Sequence, residues 1–366
     1  MSTTTDMQQH VQNAIEQLVA SGEERGLQVA VYQHGVQVVD AVAGVADLAT
    51  GRLVTPDTPF FSFSIGKGVA ATVVHVLAER GALAYDTPIV ALWPEFGAHG
   101  KERTTIRHAL SQSAGVPGLP PGLTVEDMCD WEKMCAIIAA SEPWWEPGTK
   151  IGYHAVTFGY IIGEIVRRAS GKPISQVLRD EVAGPLGVAD ELFFGVPAAE
   201  LNRLARLEDA AGSQGMMDGV PADSPMLKIG PWECTTAAYG NRADVLQANI
   251  PAGGTVTARA VTRMYAALLG EVDGVRLISP ERLREVSTVA MSGPDQVFGF
   301  PTAWGLGYSI SQNPPTEFGV GGVGGSNAFA DTATGTTFAL TKNRLTSSFT
   351  TAEQVASIVK QAVAGR

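Results

Sequence analysis

The stretch Phe60-Phe61-Ser62-Phe63-Ser64-Ile65-Gly66-Lys67-Gly68 decides how this chain is read. From Ser64 to Arg80, Ile65, Val69, Val73, Val76 and Leu77 recur at helical spacing, and Gly81 follows as a C-terminal cap. The pattern predicts a buried amphipathic helix that starts at Ser64. Ser64 and Lys67 then lie one turn apart on the same face, so hydroxyl and amine can touch. A serine hydroxyl is a poor nucleophile until a neighbouring base takes its proton, and a lysine becomes that base when burial lowers its pKa. Phe60, Phe61, Phe63 and Ile65 supply apolar surroundings. The positive end of the helix favours both the alkoxide and the oxyanion that follows it.

The same spacing recurs at Ser357-Ile358-Val359-Lys360. There Val355, Val359, Ala362 and Val363 form the apolar stripe of a final helix, which leaves Ser357 and Lys360 on its solvated side. Context therefore selects the first match.

Outward from Ser64 the chain carries Glu79-Arg80-Gly81, Trp93-Pro94-Glu95-Phe96, Gly100-Lys101-Glu102-Arg103 and Leu110-Ser111-Gln112-Ser113-Ala114-Gly115. Together with the Ser64 stretch these runs resemble the serine β-lactamase-related family, in which S-x-x-K carries the nucleophile. More narrowly, the chain is similar to the class C-like esterases, often called family VIII carboxylesterases, and to their transesterase relatives. The resemblance covers most of the chain. It implies an α/β (α+β type) fold of the β-lactamase and penicillin-binding-protein kind. It also implies an acyl-enzyme on Ser64, formed from a small-molecule ester, amide or thioester and released to water or to an acceptor alcohol or amine.

A second block, Trp145-Glu146-Pro147-Gly148-Thr149 leading into Tyr153-His154-Ala155-Val156-Thr157-Phe158-Gly159-Tyr160, is similar to the segment with the family's catalytic tyrosine, and Tyr153 is the matching position. A phenol beside a lysine can relay a proton from nucleophile to leaving group. His154 is weighed as a base and read as a supporting residue beside the substrate pocket, with Trp145. The third element, Phe318-Gly319-Val320-Gly321-Gly322-Val323-Gly324-Gly325-Ser326, resembles the family's glycine-rich strand opposite the serine. By that resemblance the backbone amides of Ser64 and Val323 form the oxyanion hole, and Val320, Gly321 and Gly322 line the pocket.

The chain departs from the family at three positions. Val320 stands where relatives carry Lys or His, which removes the proton shuttling or carboxylate recognition attributed to that side chain. Ala155 replaces the amide of Tyr-x-Asn, a loss common in the esterase branch that argues against β-lactam turnover. Gln112 stands where many relatives carry His. A non-catalytic binding protein is the alternative reading, and a β-lactamase or D-alanyl-D-alanine peptidase the third.

Other chemistry is excluded. Gly319-Val320-Gly321-Gly322-Val323-Gly324 satisfies G-x-G-x-x-G, but no helix-forming run follows it and no βαβ unit surrounds it. No serine sits in G-x-S-x-G. Three cysteines, Cys129, Cys135 and Cys234, lack C-x-x-C spacing, and six histidines show no H-E-x-x-H, so no metal and no cofactor is implied. The net charge of -11 opposes binding to nucleic acid or anionic lipid. No signal peptide or spanning segment is apparent, and with the unpaired cysteines this leads to a cytoplasmic expectation. The sequence leaves the oligomeric state open.

At 366 residues, with 45% hydrophobic and only 17% charged residues, the chain is long enough for two lobes and too apolar for extended disorder. A first helix (8–20) precedes two β-branched runs, Leu27 to Gln33 and Val36 to Ala43, with His34-Gly35 as a hairpin turn. Helices are expected over 106–113, 128–140, 156–169, 174–182, 258–269 and 351–364, and strands over 305–311 and 336–341. The architecture expected is an antiparallel sheet built from both termini and flanked by helices (1–82 plus 290–366), with a mainly helical lobe (83–289) inserted. Met216, Met217 and Met226, in a long Gly/Pro-rich loop, are candidates for a pocket wall, as are Trp131, Trp144, Trp145, Trp232 and Trp304.

Overall fold

The computed structural model describes residues 3–211, 220–221 and 223–365. Helix α1 (Thr3–Ala20) leads into β1 (Gly26–Gln33) and β2 (Val36–Asp47). His34 and Gly35 between these strands have φ of 48° and 80°. Left-handed conformation at both turn residues matches the twist of the flanking strands, so the expected hairpin forms. β3 (Arg52–Leu53) extends β2, and the rest of the sheet returns near the other end of the chain.

Three short strands, β4 (Phe60–Phe61), β5 (Leu192–Phe193) and β7 (Thr255–Val256), make a separate ribbon. β6 (Glu208–Asp209) pairs with β14 (Arg344–Leu345). The C-terminal strands are β8 (Met291–Pro294), β9 (Pro301–Trp304), β10 (Ser309–Ile310), β11 (Glu317–Gly321), β12 (Asn327–Asp331) and β13 (Thr336–Lys342). The main sheet has nine strands in the order β3-β2-β1-β13-β12-β11-β10-β9-β8. Every pairing in it is antiparallel, and Val29 of β1 faces Leu340 of β13 where the two ends of the chain meet.

The protein thus has the expected antiparallel sheet built from both ends of the chain and flanked by helices. β1 is buried without a break from Gly26 to Tyr32, the polar Gln28 included, because helices cover both of its faces. On one face, Met7, Val11 and Ile15 of α1 and Ala352 and Val355 of the final helix (Thr350–Ala364) pack on Val29, Val31 and Leu340. On the other, Ala30, Val320, Ala328 and Ala339 meet α2 (Ile65–Glu79) and the helix Ala258–Leu269. That second helix comes from the middle stretch of the chain yet lies on the sheet.

Every residue of α2 from Ile65 to Ala78 is buried, including its polar ones. His75 Nδ1 accepts from the Tyr85 hydroxyl and Nε2–H donates to the Leu306 carbonyl, both at 2.9 Å. Burial pushes His75 down to about 3, so the ring is neutral. A central helix with its polar groups satisfied is a rigid platform for Ser64 and Lys67.

The helices expected over 106–113 and 174–182 are shorter as α-helices, Ile106–Leu110 and Ile174–Leu178, and two further differences have a visible cause. The helix predicted over 128–140 is split at Asp130, whose carboxylate accepts from the Lys133 amide at 3.0 Å and caps a new helix, Trp131–Ala140. The strand predicted over 305–311 is confined to Ser309–Ile310. Gly307, at φ +86°, is pressed so close to α2 that a β-carbon there would lie 2.2 Å from the Ala71 methyl. Contact with the helix pulls this segment out of the ladder. Among the described residues, no helix is long and apolar enough to cross a membrane.

Candidate active site

Ser64 stands at the N-terminus of α2 with φ -63° and ψ -7°, and its hydroxyl makes no capping hydrogen bond. A serine in this place ordinarily accepts from an amide of the first turn. Here Oγ is held by two side chains, Lys67 Nζ at 2.9 Å and the Tyr153 hydroxyl at 2.7 Å. The preceding Phe63 has φ 48°, a costly conformation for a bulky residue that persists only where neighbours enforce it. They do so through the backbone: Ser62 N–H donates to the Gly254 carbonyl at 2.8 Å, and Gly254 N–H to the Phe63 carbonyl at 3.0 Å. β4 and β7 pair immediately beside these bonds.

Lys67 is fully buried and, among the described residues, has no ion-pair partner. Its other contacts are the Ala252 carbonyl at 3.2 Å and the face of the Tyr153 ring at 4.9 Å. Burial without a carboxylate pushes the amine down to about 7. The same burial pushes the Tyr153 phenol up, with the hydrogen bond to Ser64 opposing the shift. One environment thus moves the two groups in the directions that leave an amine lone pair and a phenolic proton at neutral pH.

Tyr153 is oriented by a residue that sequence reasoning missed. Asp295 Oδ1 accepts from the Tyr153 amide at 3.2 Å and from the Val297 and Phe298 amides at 2.8 and 2.9 Å. Those bonds carry the Phe298 ring onto Tyr153, stacked at 5.0 Å. Only the turn-forming Pro294-Asp295 pair hints at this in the sequence.

Beyond β11 the chain turns over residues 322–326, closed by Gly322 N–H to the Ser326 carbonyl at 2.8 Å and Gly325 N–H to the Gly322 carbonyl at 3.1 Å. The amides of Ser64 and Val323 have no protein acceptor among the described residues. Gly322 lies against the Ser64 loop so closely that a β-carbon would come within 2.1 Å of the Ser62 carbonyl oxygen. The turn is anchored from behind by a buried ion pair, Lys342 to Glu24 at 2.5 Å, both 1% exposed. The Lys342 amide donates to Ser326 Oγ at 3.2 Å and its Nζ to Thr346 Oγ1 at 3.1 Å. Val320 is buried and packs toward Gly68, beside which the Tyr265 hydroxyl is left without a hydrogen-bond partner.

These groups meet at a cavity of about 580 Å³. Ser64, Tyr153, Val320, Gly321 and Val323 line it, as do Met226, Trp232 and Trp304. Lys67 stands behind Ser64. Three pocket candidates lie elsewhere. His154 is buried behind the wall, where Nδ1–H donates to the Gly152 carbonyl at 2.7 Å and Nε2 accepts from the Val116 amide at 3.1 Å. Burial pushes His154 down to about 4, so it stays a neutral strut. Trp145 is buried edge-on against that ring and donates to the Ser113 carbonyl. Gly322 faces the Ser62 backbone instead of the cavity.

Gln112 accepts from the His154 amide at 2.8 Å and so supports the Tyr153 segment. Trp131 is committed to Glu164 at 3.0 Å, and Trp144 is outside the lining and 40% exposed. Met216 and Met217 lie outside the described residues. Ser357 and Lys360 border a separate groove on the other side of the sheet, where Lys360 pairs with Glu317 at 2.6 Å.

A sequence model of the family described as Beta-lactamase matches residues 11–361. "Esterase/beta-lactamase LipL" of Mycobacterium tuberculosis is 36% identical over 333 residues, 87% of this chain and 77% of that protein. The crystal structure of a family VIII carboxylesterase superposes with a TM-score of 0.89 at 31% identity, covering 97% of both chains. A penicillin-binding protein homolog from Caulobacter crescentus superposes with a TM-score of 0.88 at 32% identity, covering 98% of both. With a family match that spans nearly its whole length, and with solved relatives that share its fold from end to end, this chain belongs to the beta-lactamase family.

Proposed function

We propose that the protein is a serine esterase that forms its acyl-enzyme on Ser64 and passes the acyl group to water or to an acceptor alcohol or amine. The observation that carries this reading is the position of Ser64 Oγ, 2.9 Å from Lys67 Nζ and 2.7 Å from the Tyr153 hydroxyl at the edge of the cavity. Lys67, as the neutral amine, takes the Ser64 proton while Oγ bonds to the ester carbonyl carbon. The amides of Ser64 and Val323 receive the oxyanion. As the tetrahedral adduct collapses, the bond to the alkoxide breaks, Tyr153 gives that oxygen its proton, and the Lys67 ammonium reprotonates the phenolate. Water or an acceptor then repeats the sequence in reverse at the acyl carbonyl. Names of relatives that include esterase and carboxylesterase support the reading.

Val320 tests it. A valine neither donates nor relays a proton, so acylation through Ser64, Lys67 and Tyr153 proceeds while release to water is slow. A bound acceptor gains effective concentration from the cavity and competes well with water. Pre-steady-state kinetics with a chromogenic ester are expected to show a burst followed by slow turnover, and faster release when alcohols or amines are added. Val320→His, which places an imidazole near the unpartnered Tyr265 hydroxyl, is expected to shrink the burst. Inertness of both proteins to every activated ester would favour a binding protein without turnover.

A further inference from the structure

The lining of the cavity identifies what kind of ester fits it. Among the described residues that line it there is no Lys, Arg, His, Asp or Glu. One wall is a continuous stack of rings that runs from solvent to the nucleophile: Phe300 lies parallel to Phe298 at 5.3 Å, and Phe298 stacks on Tyr153 at 5.0 Å. Phe300 and Trp232, exposed by 55% and 54%, stand on the rim together with Phe349 at 36%. Large apolar side chains left in water around an apolar opening mark a surface built to be covered by apolar ligand. At about 580 Å³ the space exceeds what an acetyl ester needs and falls within the range of cavities that enclose ligands of drug size.

Charge points the same way. A carboxylate entering this cavity would lose its water and meet no cation among the described lining residues, because Lys67 lies behind Ser64, outside the lining. The overall charge of -11 adds a repulsive field at longer range.

We infer that the site selects esters whose acyl part is uncharged and extended or aromatic, and rejects acyl groups that bear a carboxylate. The inference rests on the esterase reading and adds the substrate class to it. In its terms the aromatic stack holds the chain, and the exposed rim rings admit it from solvent.

The experiment measures kcat/KM for p-nitrophenyl acetate, butanoate, hexanoate and heptanoate, and for the carboxylated p-nitrophenyl hydrogen adipate, a close match to heptanoate in length. A fluorophosphonate label on Ser64 is followed in parallel. The expected result is a rise of about fourfold per added methylene as far as hexanoate, the worth of burying each one. The adipate is expected to be at least about a hundredfold poorer than heptanoate, in keeping with an unpaired buried charge. Ser347→Arg places a cation at an exposed hydroxyl on the cavity lining and is expected to narrow that gap about tenfold or more. A flat or falling chain-length profile, or an adipate within a few-fold of heptanoate, overturns the inference alone. So does labelling of Ser64 without turnover of the longer esters. Absence of both labelling and turnover overturns the esterase reading, and the substrate class with it.

Discussion

Lys67→Met is expected to fold and to lose about two to four powers of ten in the rate of acylation, the usual worth of a general base. Methionine keeps the volume and suits a fully buried site, so the loss reads chemistry and not collapse. The pH profile gives a second, independent reading. Lys67 must be neutral to accept the Ser64 proton, and its burial places the transition at about 7. Below that pH the neutral fraction of Lys67 falls about tenfold per unit and the wild-type rate falls with it; above it the rate levels off. In Lys67→Met this acid limb is expected to vanish along with the rate. Near-normal acylation, or a limb that survives the substitution, would remove Lys67 from the role of base. Tyr153→Phe is expected to cost a similar factor, with a larger loss for alkyl leaving groups than for nitrophenolate, which needs no proton to depart.

Gly322→Ala is the second large effect, argued from space alone. The added methyl would sit 2.1 Å from the Ser62 carbonyl oxygen. That oxygen cannot yield easily, because the Ser62 amide is tied to Gly254 at 2.8 Å and the strained Phe63 follows it. The turn must therefore back away and carry the Val323 amide with it. Loss of one oxyanion donor costs about 10²–10³ in kcat, and the variant is expected to fall in that range. Thermal unfolding separates the effects: the midpoint should drop by a few degrees while a cooperative transition remains. A folded Gly322→Ala protein with wild-type kcat would show that the turn's distance from Ser62 does not set the hole.

Much of this was legible in the sequence, for reasons that differ from element to element. The helix carrying Ser64 and Lys67 could be read because its periodicity, its glycine stop and its function occupy one contiguous stretch. The β1–β2 hairpin could be read because His34-Gly35 names its own turn. The sheet from both termini follows from β-branched runs at each end, confirmed by the pairing of β1 with β13. What was hidden acts across distance. Asp295 lies 142 residues from the tyrosine it orients, and Glu24 lies 318 from its partner Lys342. The Pro294-Asp295 pair signals a turn but not its partner, and Glu24 has no local pattern that marks it. His154 and Trp145 misled for the opposite reason: nearness in sequence to Tyr153 suggested a place in the pocket, while their hydrogen bonds to the Gly152 and Ser113 carbonyls hold both side chains behind its wall. The split helix at Asp130 and the bent segment at Gly307 were overridden by a cap and by a close approach to α2, both visible only after packing.

The central claim is that one serine, and not the second serine with the same spacing, takes the acyl group. Intact-mass spectrometry after exposure to a fluorophosphonate or an active ester, followed by peptide mapping, tests it directly. The account predicts a single adduct on Ser64 that disappears in Ser64→Ala. An adduct that persists in Ser64→Ala, or that maps to Ser357, would contradict it.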